Sequence, residues 1–235
     1  MDAFIFDLDG TLVDSNALHI ASWDTAFCHF GKEFALEQLR AQIGKGSDKY
    51  LPEFLTPVEI KRFGKEMDSY RSDHFKKEYL PRVEGFPQVH ELFQHIRDDG
   101  KQIVLATSGK KSEARHYTEL LRIDDLIAGQ TTADDADESK PAPDIFTAAL
   151  EKLDGVKASE ALVIGDTRFD MGAAAKAKLR AIAVTCGGTH EETLRAAGAL
   201  AVYRNPADLL AHDDQIVAQF SNCLRVTSSW PNESR

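Results

Sequence analysis

A chain of 235 residues, 43% hydrophobic and 28% charged, has the composition of an ordinary globular protein, with length for one α/β core and a smaller module. Its formal net charge of −10 argues against nucleic acid or a membrane surface as partner, and leaves any anionic ligand dependent on a few local cations or a metal. Three cysteines with no C-x-x-C pair, no leader-like n- and h-regions and no apolar run near the roughly 18 residues of a membrane span make the reducing cytoplasm the expected location.

The apolar run Ala3–Phe6 reads as a short strand buried in a parallel sheet. It meets Asp7, Asp9 and Gly10 abruptly. Side chains two apart on an extended segment share a face, so the two carboxylates should converge. At ~4 Å and an effective dielectric of ~20 they would repel by about 4 kcal/mol. A shared proton or a divalent cation would relieve that repulsion. Two solvated turn aspartates, an EF-hand loop and a Walker B strand end compete as explanations. The calcium loop needs flanking helices and a later glutamate, and no G-x-x-x-x-G-K-[ST] accompanies the strand.

After Ser15 the pattern turns helical. Ile20, Trp23, Phe27 and Phe30 form one stripe, capped at Ser15 or Asn16 and ended by Gly31. Shorter helical segments are expected around Leu36–Ile43 and Asp48–Leu55. Thr56-Pro57 should start a longer helix reaching Tyr79. From Pro87 onward helices and strands alternate. Strands are expected at Gln102–Ala106, Leu126–Ala128, Ala161–Ile164, Arg180–Val184 and Ala199–Val202. Helices are expected at Val89–Ile96, Lys111–Arg122 and Ile145–Leu153. The fold class is therefore α/β, a doubly wound, mostly parallel Rossmann-like sheet with an inserted all-helical cap. Residues 1–15 and 81–212 make the core, 16–80 the cap and 213–235 a C-terminal tail, patterned only over Ile216–Leu224 and frayed from Thr227.

Three expected strands end in unusual polar residues: Asp7/Asp9, Thr107/Ser108 and Asp166. Ligands of open α/β sheets bind at these carboxyl ends. Thr107 and Ser108 sit where strand passes to helix, so their hydroxyls and the adjacent amides could bind phosphate, although Ser108 is also a natural helix cap. Lys140 precedes Pro141-Ala142-Pro143, which keeps it out of helical geometry on a stiffened backbone. Asp166 can join Asp7 and the region of Asp9 around a hard cation such as Mg2+, with Asp170 behind them or on a helix surface.

The motifs D-L-D-G-T at Asp7–Thr11, strand-end Thr107, Lys140 before P-A-P-D, and G-D-x-x-x-D ending at Asp170 together resemble the four motifs of the haloacid dehalogenase superfamily, in order and spacing, over residues 3 to 212. The helical insertion, with Gln42–Gly46 and Val83–Pro87, resembles the α-helical cap of its phosphoglycolate phosphatase and β-phosphoglucomutase type. The resemblance implies that Asp7 attacks phosphorus to give an aspartyl-phosphate. It implies that Asp9 is the general acid and base, with a pKa raised by crowding among acids. Thr107, Ser108 and Lys140 would hold the phosphate. Mg2+ would be bound by Asp7, the Asp9 backbone and Asp166, with Asp170 in support. The implied partner is a small phosphomonoester, handled by a monomer or homodimer. Dehalogenation is disfavoured, because hydrolytic dehalogenases lack the second acid.

The cap is less legible. His19 could line the pocket or serve structure, Trp23 suits the cap interior, and Lys45 and Lys49 beside Gly44 and Gly46 could reach the substrate. Cap motion about Val13–Asn16 and Leu80–Gly85 would admit substrate. A β-phosphoglucomutase-like phosphotransferase would use the same aspartates. A phosphoacceptor signalling module would be near half this length without a helical insertion. A non-catalytic relative would usually have lost a motif residue, and none is lost here.

Overall fold

The computed structural model describes residues 1–222. In chain order the strands among these residues are β1 (Ala3–Phe6), β2 (Val13–Asp14), β3 (Glu84–Gly85), β4 (Gln102–Ala106), β5 (Gly129–Thr131), β6 (Ala161–Gly165), β7 (Arg180–Val184) and β8 (Val202–Tyr203). Six of them form one parallel sheet in the order β5-β4-β1-β6-β7-β8. β1 lies inside this sheet, with Phe4 opposite Ile103 on one side and Leu162 on the other. Its four residues are all buried, as an unbroken apolar run between two strands requires.

Alternation along β1 divides the core in two. Phe4 and Phe6 pack with Phe93, Ile103, Leu105 and Ile164 on one face. Ala3 and Ile5 pack with Val104, Phe146, Val163 and Ala173 on the other. Helices Val89–Asp98 and Lys111–Leu121 contribute to the first layer, Asp144–Glu151 and Arg168–Lys176 to the second.

The helices between β2 and β3 form a cap with its own cluster around Ile20, Trp23, Phe27, Tyr50 and Met67. Helix Asn16–His29 leads it. The long helix from Pro57 to Tyr79 contains two π-helical stretches, Ile60–Gly64 and Phe75–Tyr79. Thr56 caps it reciprocally with Glu59, as the Thr-Pro-x-Glu sequence suggests. Both crossings between cap and core are joined: Val13 pairs with Gly85 and Asp14 with Glu84, antiparallel.

Some expected boundaries are displaced. The strand read at Leu126–Ala128 forms instead at Gly129–Thr131. Leu126 is buried below the sheet rather than in it, so its apolarity reports packing and not pairing. The strand read at Ala199–Val202 is confined to Val202–Tyr203, although the Leu200 amide already donates to Ala181. The segment read as Asp48–Leu55 is a short helix, Ser47–Tyr50, followed by a 3-10 turn. Helix Asp213–Asn222 starts earlier than the Ile216–Leu224 pattern and buries Ile216 and Phe220 in the first core layer. Its first residue, Asp213, lies 3.3 Å from His95 Nε2 and 3.9 Å from Lys101 Nζ. The fraying read at Thr227–Arg235 falls outside the described residues. Among those described, no helix is long and apolar enough to cross a membrane.

Candidate active site

The carboxyl end of β1 opens into a cavity of about 290 Å3 between sheet and cap. Asp7 continues directly from β1, its amide donating to the Ile164 carbonyl at 2.9 Å. Its side chain contacts the Lys140 ammonium through Oδ1 and accepts a 3.3 Å hydrogen bond from Thr11 through Oδ2. Lys140 also reaches Asp170 Oδ1 at 2.8 Å and donates to the Ala106 carbonyl at 3.0 Å. Only 1% of Lys140 is exposed, so in the free protein its ammonium meets these buried groups. Burial by itself would lower its pKa, but Asp170 and Asp7 hold it above the usual lysine range.

Asp166 directly follows β6 and is fully buried. It accepts from Asn16 Nδ2 at 2.8 Å and from Thr11 Oγ1 at 3.3 Å. The chain passes close over it: a Cβ on Gly10, whose φ is +77°, or on Gly187 would overlap the Asp166 carboxylate. Asp170 is fixed in the first turn of helix Arg168–Lys176 by the Thr167 amide at 2.9 Å and hydroxyl at 2.6 Å.

Oxygens of Asp7, Asp166 and Asp170 lie within 4.8 Å of one another. Three buried carboxylates face one ammonium, so their full ionisation would leave excess negative charge. Burial, with a contribution from Asp170, pushes Asp7 up to about 7 against the pull of Lys140. Burial together with Asp170 and Asp7 also raises Asp166 well above the carboxylate range. An all-oxygen donor set with uncompensated charge fits a hard divalent cation.

Asp9 has a different environment. β1 ends at Phe6, so the alternation that was to bring the two aspartates together does not extend to them. Asp9 Oδ1 receives Ser15 Oγ at 2.7 Å and His19 Nε2 at 2.8 Å. Its expected elevated pKa is not found. Burial pushes it upward, but His19, Ser15 and Tyr117 outweigh burial and hold it well below the usual range. Crowding among acids falls on Asp7 and Asp166 instead.

His19 is itself fixed from the cap. The Arg71 guanidinium contacts Nδ1 and the Phe75 ring stacks on the imidazole at 4.1 Å. A guanidinium can only donate, so Nδ1 accepts and Nε2 carries the proton given to Asp9. Phe75 opens the second π-helical stretch of the long helix.

Thr107 Oγ1 accepts the Gly109 amide at 2.9 Å and lies 3.5 Å from Asp9. Ser108 is not the cap of the following helix, whose N-cap is Lys110. The Ser108 hydroxyl is buried, without a protein hydrogen bond, at the cavity wall. Lys45 and Trp23 line the cavity, but Lys45 is held by Gln42 and Glu53, both at 2.6 Å. Lys49 pairs with Glu138 at 3.0 Å and is not part of the cavity wall. The cap rests on the core through the Gly46 amide to Ser139 Oγ at 3.0 Å and Asp48 to the Ser139 amide at 3.2 Å.

Arg71, Glu113 and Tyr117 were not singled out from the sequence, and Asn16 reads there only as a helix cap or hinge residue, not as the partner of Asp166. Each is one polar residue on a helical pattern, with no local signal pointing to the site.

Residues 4–184 match the family model described as haloacid dehalogenase-like hydrolase. A Dickeya dadantii protein named Probable phosphatase IndB is 32% identical over 232 residues, covering 96% of either chain. The Bacillus cereus pyrophosphatase PpaX is 28% identical over 192 residues, 80% of this chain and 86% of that one. Among solved structures, a hydrolase from Pseudomonas syringae superposes with a TM-score of 0.80 at 32% identity, covering 92% of this chain and 99% of that one.

Proposed function

The chain belongs to the haloacid dehalogenase-like hydrolase family, and from that premise we propose a Mg2+-dependent phosphatase that hydrolyses a small phosphorylated metabolite through an aspartyl-phosphate. The observation that carries this reading is the buried Asp7 set between Lys140 and the Asp166–Asp170 pair, at a cavity wall where the Ser108 hydroxyl lacks a partner.

In this reading an Asp7 oxygen attacks phosphorus as the ester P–O bond breaks, and Asp9 protonates the departing oxygen. Thr107, Ser108 and Lys140 hold the remaining phosphate oxygens, where negative charge persists through the transition state. Mg2+, when bound, would be held by Asp7 and Asp166 with Asp170 alongside, keeping these carboxylates ionised and neutralising phosphate charge. Asp9, left ionised, then takes a proton from the water that cleaves the aspartyl-phosphate. A bound phosphate dianion beside Asp9 raises its proton affinity, which suits the acid step despite the depressed value in the free protein.

Phosphate release across a panel of monoesters with Mg2+ tests the proposal. Chelation by EDTA is expected to lower the rate at least about 100-fold, with recovery on adding Mg2+. No phosphate from any monoester would overturn it. A mutase would instead convert a sugar phosphate to its isomer with little free phosphate when primed with the bisphosphate.

His19 gives a second expectation. Ionised Asp9 is present above its pKa and is lost as pH falls through it. Removing the His19 donor in His19→Ala raises that pKa, so the acid limb of phosphoenzyme decay moves to higher pH. The decay rate near neutrality is expected to fall roughly tenfold. Single-turnover decay measured against pH checks both, and an unmoved acid limb would leave His19 without this role.

A further inference from the structure

Glu113 stands in the first turn of helix Lys111–Leu121, is 3% exposed and lines the cavity. Its carboxylate makes no hydrogen bond and no ion pair among the described residues. A first-turn glutamate is favoured by the helix dipole, but that preference is met at a surface, where water solvates the charge. With no protein donor the carboxylate is solvated only through the cavity, so a ligand that displaces water from the cavity has to supply a hydrogen bond in its place. Glu113 Oε2 and Asp9 Oδ2 each lie 3.5 Å from the point that a Cβ on Gly109 would occupy, so the two acids flank Gly109 on the same cavity wall.

The charges around the rest of the cavity point the same way. Lys45 is engaged by Gln42 and Glu53, and Arg71 by His19. Lys110 lies 3.9 Å from Asp68, and Asp48 and Asp137 add negative charge to the wall. The wall cations thus already face acids or, for Arg71, the His19 ring, although Arg71 Nε keeps an unused N–H; the unpartnered Glu113 carboxylate repels a second anionic group and can accept from a hydroxyl.

We propose that Glu113 is a specificity-determining residue that accepts a hydrogen bond from a hydroxyl of the leaving group, so that the preferred substrates are sugar or polyol monophosphates rather than phosphoglycolate or pyrophosphate. The proposal rests on the phosphatase reading above. During hydrolysis the ester P–O bond breaks, the proton from Asp9 goes to the departing oxygen, and Glu113 keeps its hydrogen bond without exchanging a proton.

The test compares kcat/KM for triose, pentose and hexose monophosphates, phosphoglycolate and pyrophosphate, each divided by the value for p-nitrophenyl phosphate. Wild-type protein should favour at least one hydroxylated substrate over both anionic ones by tenfold or more. Glu113→Gln keeps the shape and removes the charge; Glu113→Met also removes the acceptor. In Glu113→Met the ratio for the favoured substrate should fall at least tenfold, chiefly through KM, with a smaller fall in Glu113→Gln. A merely structural role would lower both substrates together and leave the ratio unchanged. An unchanged ratio in folded variants, or preference for phosphoglycolate or pyrophosphate, would overturn the assignment while leaving the phosphatase reading intact. Wild-type protein inactive on every monoester, p-nitrophenyl phosphate included, would remove both.

Discussion

Asp7→Asn is expected to lower kcat by about 10^4-fold or more, because the amide oxygen is a far weaker nucleophile and the alternative, direct attack by water, lacks a positioned partner. The protein should still fold. The substitution takes one charge out of a cluster in which burial and Asp170 already push Asp7 toward protonation, up to about 7. Lys140 keeps Asp170 at 2.8 Å and the Ala106 carbonyl at 3.0 Å. Circular dichroism and a melting curve close to wild type, together with loss of acid-stable radiolabel from a phosphate donor, would establish the covalent route. Turnover retained within tenfold would remove it.

Lys140→Met should be damaging in a second way. The ammonium is the one cation in direct contact with Asp7 and Asp170 among the described residues, and it is 1% exposed. Removing one partner of a buried ion pair typically costs about 3–5 kcal/mol, because the remaining charge is desolvated and unpaired. Part of that loss should return on adding Mg2+, since a cation bound by the folded state alone stabilises by mass action. The melting temperature of Lys140→Met should thus depend on Mg2+ concentration more steeply than that of wild type, while kcat stays at least about 10^3-fold down. Equal Mg2+ dependence in the two proteins would argue that Lys140 and the cation do not share the same carboxylates.

The contrast between the two N-terminal aspartates bears on chemistry. A shared strand face would have given Asp7 and Asp9 a common environment, one raised by the other. Asp9 does raise Asp7, but only as the smallest influence; Asp7 is set chiefly among Lys140, Asp170 and Asp166, and Asp9 among Ser15, His19 and Tyr117. In the proposed mechanism the acid–base group would thus be tuned in part by the cap, through Arg71 and His19, and the nucleophile by the core. This arrangement exists only while the helices at Asn16–His29 and Lys65–His74 sit over the sheet.

The sequence by itself determined the central strands of the sheet and what stands at their carboxyl ends, whereas the outer strands β5 and β8 are displaced from their apolar runs. Ala3–Phe6, Gln102–Ala106 and Ala161–Ile164 are apolar runs too short for helices, so each forms a strand, and the residues after them, Asp7, Thr107 and Asp166, reach the edge by chain continuity. Lys140 was legible from its prolines for the same local reason. Tertiary structure alone decided which donors and charges those side chains meet. Arg71 lies 52 residues from the His19 it holds, and Asn16 lies 150 residues from Asp166. It also decided that Ser108 and Glu113 face a cavity rather than a cap or solvent. The position of a strand buried on both faces follows from local apolarity. The protonation state and partner of a buried polar group follow from desolvation and through-space charge, which depend on residues distant in the chain.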